Sequence, residues 1–226
     1  MSKKIVWDAI GERLYETGVD RGVVYPQVGG AYPKGEGWNG LTNVTLSPSG
    51  AEPTALYANN HKYLNLMSVE ELGGTIEAYM YPPAFAACNG LKEVVPGVRA
   101  AQQKRHAFGF TFRTMIGSDT DGTNHGYKIT LVWGALASPS ESANATMNED
   151  PEAKTMSWEF ATTPVDMKGF DPVSSLEIDS TTVDPEKLKA LEAALYGTDE
   201  ADPYLPLPDE VAALVGYVAE NESTEG

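Results

Sequence analysis

Apolar residues recur at period two along much of the chain, the pattern of strands that bury one face. The run His106 to Ile116 is the clearest: Phe108, Phe110 and Phe112 share a side with His106 and Thr114, and Ala107, Gly109, Thr111 and Arg113 fall on the other. The turn GSDTDGTNHG leads from it into Tyr127–Trp133, so the two runs predict a long antiparallel hairpin. Thr75–Tyr81 sends Ile76, Ala78 and Met80 one way and Thr75, Glu77, Tyr79 and Tyr81 the other, and Pro82-Pro83 ends it. Further strands are expected at Trp38–Leu46, Thr155–Thr163 and Ser174–Ser180. Residues 4–26 read as two or three short strands, Lys4–Trp7, Glu12–Thr17 and Gly22–Tyr25, punctuated by glycines, followed by a Gly/Pro-rich loop over 26–37. Residues 84–97 have room for a short helical turn.

Helical period dominates only at 185–196. Asp184 suits the N-cap, Pro185 the first helical position and Glu186 the positive end of the dipole. Leu188, Leu191 and Leu195 form an apolar stripe that reads as core packing, and Gly197 suits the C-terminal cap. Eight to ten strands with one helix predict a mainly β protein, a sandwich or barrel-like domain with a helix against it. Its main domain is expected over 1–200, with a C-terminal arm and tail over 201–226. Asp209–Val215 has the makings of a second short helix, residues 138–153 of a mobile surface loop, and ENESTEG of a disordered end.

Two segments stand apart from this pattern. A long loop over about 46–72 carries prolines, a glycine and paired asparagines, yet also Leu56, Tyr57, Tyr63, Leu64, Leu66 and Met67. Pro203, Pro206 and Pro208 hold an extended path around Tyr204, Leu205 and Leu207. Each is too apolar for a free loop, and reads either as a surface that touches a partner or as a segment folded onto its own core.

The 32 acidic residues against 16 basic ones give a net charge of −16, which opposes binding to a nucleic-acid backbone and favours solubility. No apolar run approaches the roughly 18 residues of a membrane span, and MSKKIVWDAIGERLYETG does not have the form of a secretory signal. These features predict synthesis in the cytoplasm. Cys88, the lone cysteine, lies among Ala and Phe and reads as a small buried apolar residue. His61, His106 and His125 lack metal-ligand spacing, and phosphate-loop, nucleophile-elbow and dinucleotide motifs are absent. Neither catalysis nor a cofactor or metal is expected. Asp119–Asn124 alternates oxygen ligands like the start of a calcium loop, but lacks the closing glutamate, and suits a hairpin turn as well. Trp7, Trp38, Trp133 and Trp158 lie in strand-like contexts and read as core.

The stretch WDAIGERLYETGVDRG from Trp7 resembles the opening of the major tail proteins of long, non-contractile-tailed bacteriophages and related prophages. GWNGLTNVTLSPSGAEPTALYANNHKYLNLMS from Gly37, GTIEAYMYPPAFAACNG from Gly74, AQQKRHAFGFTFRTMIGSDTDG from Ala101 and HGYKITLVWGALASPSE from His125 are similar to the same family, as are MSWEFATTPV, KLKALEAALYG and YLPLPDEVAAL. The resemblance spans nearly the whole chain. It implies a tail-tube-type β-sandwich with a flanking helix, six copies closing a ring and rings stacking into the tube through which DNA leaves the capsid without specific binding. It implies a place in the virion tail and, as partners, a tape-measure protein, a tail terminator and a distal tail protein. The family carries no catalytic motif. Candidate subunit-interface residues are Leu56, Tyr57, Tyr63 and Leu64 in the loop and Tyr204, Leu205 and Leu207 in the arm. Alternatives are a single-ring component, such as a tail terminator or head–tail connector, and a carbohydrate-binding β-sandwich with exposed aromatics.

Overall fold

Glycine and β-forming residues set the chain's pattern: long extended runs that bend where a positive φ interrupts them. The computed structural model describes residues 4–50, 52–68, 70–146 and 153–217. ENESTEG and residues 147–152 of the expected 138–153 loop lie outside that set; residues 138–146 take no regular structure. Strand accounts for 50% of the described residues and helix for 11%. In order the elements are β1 (Leu14–Pro26), β2 (Glu36–Gly37), β3 (Leu41–Gly50), β4 (Pro53–Ala58), β5 (His61–Met67), β6 (Glu70–Ala78), α1 (Phe85–Cys88), β7 (Lys92–Val95), β8 (Val98–Ala100), β9 (Phe108–Ser118) and β10 (Gly122–Ala137). After them come β11 (Met156–Thr162), β12 (Val165–Met167), β13 (Phe170–Val173), β14 (Ser175–Asp179), α2 (Pro185–Tyr196) and α3 (Pro208–Leu214).

Eight strands form one antiparallel sheet in the order β2-β1-β9-β10-β11-β6-β3, with β14 also on β10. Three separate hairpins, β4–β5, β7–β8 and β12–β13, stand off it. β10 is the pivot. One edge pairs with β9 along most of its length; the other pairs with β14 over Lys128–Val132 and then with β11 over Ala135–Ala137. Gly134 separates the two stretches at φ +62°, and a Cβ there would run into the Thr163 carbonyl oxygen. Only glycine fits that bend.

The expected phenylalanine stripe is buried, and so is the opposite side of β9. One core joins Val24, Ile76, Ala78, Phe85, Phe108, Phe110, Phe112, Val132, Trp158 and Phe160, so the β11-β6-β3 half curls over the β1-β9-β10 half. Trp38 sits inside it, 5.6 Å from the Phe110 ring and 5.5 Å from Trp158, and its indole N–H donates to the Met80 carbonyl at 2.9 Å. A second core on the other face joins Val23, Tyr25, Tyr32, Ile129, Leu131, Trp133 and Ile178 to α2 and α3. The α2 stripe Leu188, Leu191 and Leu195 is buried there, and the Asp184 carboxylate accepts from the Glu186 and Lys187 amides, as the sequence predicts.

Several expectations need correction. Residues 14–26 form one strand rather than two, because Gly18 (φ +71°) and Arg21 (φ +48°) bulge within the ladder to β9 instead of turning the chain. Residues 4–7 form no strand, and Trp7 is 76% exposed. The other three tryptophans are core. The 75–81 strand stops at Ala78, leaving Met80 outside. The 46–72 segment is not a loop: β3 and β6 extend outward and the β4–β5 hairpin continues beyond them. The 203–215 segment does not stand off as an arm. It lies on the second core, with the Trp133 indole N–H donating to the Pro206 carbonyl and the Leu205 amide to that of Tyr32.

Candidate assembly surfaces

The β4–β5 hairpin turns at Asn59 and Asn60, both at positive φ, as a tight two-residue hairpin requires. Thr54 faces Leu66 and Leu56 faces Leu64 across the ladder, so the three leucines share one side of the hairpin. All of it except half-buried Ala55 is open to solvent: Tyr57 and Tyr63 are each 72% exposed, and Leu56, Leu64, Leu66 and Met67 are uncovered as well. The expected loop quartet Leu56, Tyr57, Tyr63 and Leu64 is thus brought together on one projecting arm.

The second candidate set divides. Leu205 is 2% exposed and packs against Gly109, where any Cβ would meet its Cδ2, so it belongs to this chain's own core. Tyr204 is half-buried and donates to the Glu210 carboxylate at 2.7 Å. Leu207 keeps 39% of its surface exposed.

A third surface escaped sequence reading because its residues are polar and scattered along the chain. Below the first core, the sheet continues as four strands in the order β1-β9-β10-β14. Register places Glu16, Thr114, Lys128, Glu177 and Asp179 on one face. The Glu16 carboxylate accepts from Lys128 Nζ at 2.8 Å and from Thr114 at 2.6 Å, and these bonds hold its pKa below the ordinary value. Asp179 is likewise lowered, by bonds from the Thr181 hydroxyl and amide. Three carboxylates against one ammonium leave the face acidic. The opposite face carries Arg113, which donates two bonds to Asp20 at 2.7 and 2.6 Å and lies over the Tyr127 ring. The outer edges of this half-sheet, Leu14–Gly22 and Ser175–Asp179, have no strand partner among the described residues.

Two further segments expose apolar groups. Ile5, Val6, Trp7 and Ile10 lie along the segment leading to β1, and Val94, Val95 and Val98 lie at the tip of β7–β8.

The 119–124 stretch forms the β9–β10 turn. Its carboxylates serve the turn and its surroundings: Asp119 accepts from the Gly11 amide, and Asp121 from Ser118 and across a 3.1 Å contact with His125. Among the described residues no group of three or more His, Cys, Asp or Glu side chains is placed to hold a metal ion. No described helix is long and apolar enough to cross a membrane. No protein-family model matches the chain, and a search of curated proteins finds no match.

Proposed function

We propose that this chain is the tail-tube subunit of a long, non-contractile bacteriophage tail, a structural virion protein made in the host cytoplasm. Six copies close a ring, and rings stack into the conduit for DNA. The observation that carries the reading is the half-sheet β1-β9-β10-β14, with one acidic, ion-paired face and two strand edges without partners. β1 offers a regular stretch over Leu14–Thr17 and β14 one over Ser175–Asp179, similar in length and on opposite sides. Pairing the first edge of one copy with the second of the next joins the half-sheets into a barrel and leaves no edge open. Its polar face would line the channel, where net negative charge repels passing DNA. Contacts of this head-to-tail kind close in the plane and propagate along the axis, so a tape-measure protein and a terminator would set the length.

The β4–β5 arm favours a stacking subunit over a single-ring terminator or connector, since it presents apolar surface away from the half-sheet edges. The burial of Trp38, Trp133 and Trp158 leaves Trp7 as the one exposed tryptophan, which weighs against a carbohydrate-binding face built on tryptophans.

Negative-stain electron microscopy of the purified protein across concentration and salt tests the reading, with hollow tubes or rings expected. Should only monomers appear, the chain must be among the most abundant proteins of purified virions, and its absence there ends the hypothesis. A Tyr57→Asp/Leu64→Asp variant should fold, since both side chains are exposed, and fail to stack.

A further inference from the structure

The arm has a second property besides its leucines. Glu52, Glu70 and Glu71 gather at its base, where Gly50 pairs with Glu70 and Ser49 with Glu71, and none of the three carboxylates is in an ion pair among the described residues. Its charge is matched elsewhere on the same chain. Lys92, Arg99, Lys104 and Arg105, four of the 16 lysines and arginines of a protein with net charge −16, fall within residues 92–105. Lys92 and Lys104 line one depression of about 440 Å³ beside β7–β8. The one acid of this stretch, Glu93, accepts from the Gly97 amide within the hairpin. Val95 pairs with Val98 at the tip, and Val94, Val95 and Val98 are all more than half exposed.

Each of these surfaces thus joins exposed apolar side chains to an excess of charge of one sign, acidic at the base of the arm, although Lys62 lies near its tip, and basic over residues 92–105 despite Glu93. Within one copy both are open to solvent, so neither covers the other. We propose that the arm of one copy seats on the β7–β8 surface of a second copy: leucines against valines, with the acidic base of the arm toward the basic stretch that runs from Lys92 to Arg105. The contact is heterologous, one patch meeting a different patch, and therefore propagates from copy to copy. It rests on the tube reading, for which it supplies the ring-to-ring contact, and its charges give the contact register and partner choice.

Charge reversal on each side, and on both, tests the pairing. Glu70→Lys/Glu71→Lys and Lys92→Glu/Arg99→Glu change exposed side chains and should leave the thermal melt of the monomer unchanged. Each should raise the protein concentration for half-assembly by about tenfold or more at low salt. The combined fourfold variant, with signs exchanged, should recover wild-type assembly. One-sided variants that assemble like wild type, or a combined variant no better than the worse parent, overturn the pairing while leaving the tube reading intact. A second measurement does not depend on tubes. Leu64→Cys chains are mixed with Val95→Cys chains and oxidised, the native Cys88 being buried. Preferential formation of the mixed cross-linked dimer over either self-pair supports the contact even if no tube forms, and its failure to exceed the self-pairs overturns it.

Discussion

Leu205→Ala separates a residue of the fold from a residue of the interface. Leu205 lies between prolines in an extended segment, is 2% exposed, and rests on the bare backbone of Gly109 inside the core that α2 and α3 complete. Truncation leaves a cavity that the sheet below cannot fill, because β9 is fixed by ladders on both sides. Large-to-small changes at such sites cost about 2–5 kcal/mol. At about 3 kcal/mol, a chain of this size loses roughly 6–12 °C in melting midpoint. Leu207→Ala, two residues away and 39% exposed, should cost less than about 1 kcal/mol. Circular-dichroism melts of the dilute monomer, below any assembly threshold, measure both without contributions from association. If Leu205→Ala melted with wild type and lost only assembly, the 203–215 segment would be a docking arm after all, and its placement on the second core would be wrong.

Acid should weaken the fold in part through Asp20 and Glu16. Bonds from Arg113 and from Lys128 hold their folded pKa values below the unfolded values of about 3.9 and 4.3, so the stability they contribute is complete above those values and lost as pH falls through the folded ones. Asp20, 47% exposed, should be worth under about 1 kcal/mol; Asp20→Asn should lower the urea midpoint slightly at pH 7 and give a shallower decline between pH 5 and 2, and an unchanged decline would refute the assignment. Burial pushes the Cys88 thiol up to about 12, so a thiol reagent at pH 8 should label it only on unfolding, and fast labelling of folded protein would contradict its place in the first core. Gly134→Ala should destabilise by at least about 1–2 kcal/mol, from its left-handed φ alone; a neutral result in the same melt would show that the β10 bend is not fixed there.

Elements with one buried face and a regular period were legible. Phe108, Phe110 and Phe112, Trp158 with Phe160, and Leu188, Leu191 and Leu195 each advertise a core direction by spacing alone, and Asp184 and Gly197 mark helix ends by their own chemistry. The misses share a cause: the deciding partner lies far away in sequence. Gly18 and Gly22 look like turns, but the distant β9 ladder carries the strand past them. In the β4–β5 arm both faces are exposed, so Leu56 beside Tyr57 and Tyr63 beside Leu64 show no alternation; the paired asparagines at 59 and 60 were the one hairpin signal. Leu205 could not be told from a docking residue until β9 was known to be covered on its Gly109–Thr111 side. The acidic half-sheet was invisible because Glu16, Lys128 and Asp179 meet only through register.

That half-sheet also explains why β10 is built as it is. Above Gly134 its second edge is occupied by β11, which brings β6 and β3 over the first core and covers the phenylalanine face. Below Gly134 the same edge carries only the five residues of β14, and the face toward Glu16 and Asp179 stays uncovered. A fully apolar continuation there would need a third layer; an ion-paired one does not. The polar face is therefore tolerable in water as it stands, whereas the unpaired edges of β1 and β14 are an invitation to aggregate. The bulges at Gly18 and Arg21 blunt the upper part of the β1 edge and leave Leu14–Thr17 regular. On the proposed reading, an edge blunted where pairing is unwanted and left regular over Leu14–Thr17, with the five residues of β14 free on the opposite side, is the arrangement that a closed ring of copies would use.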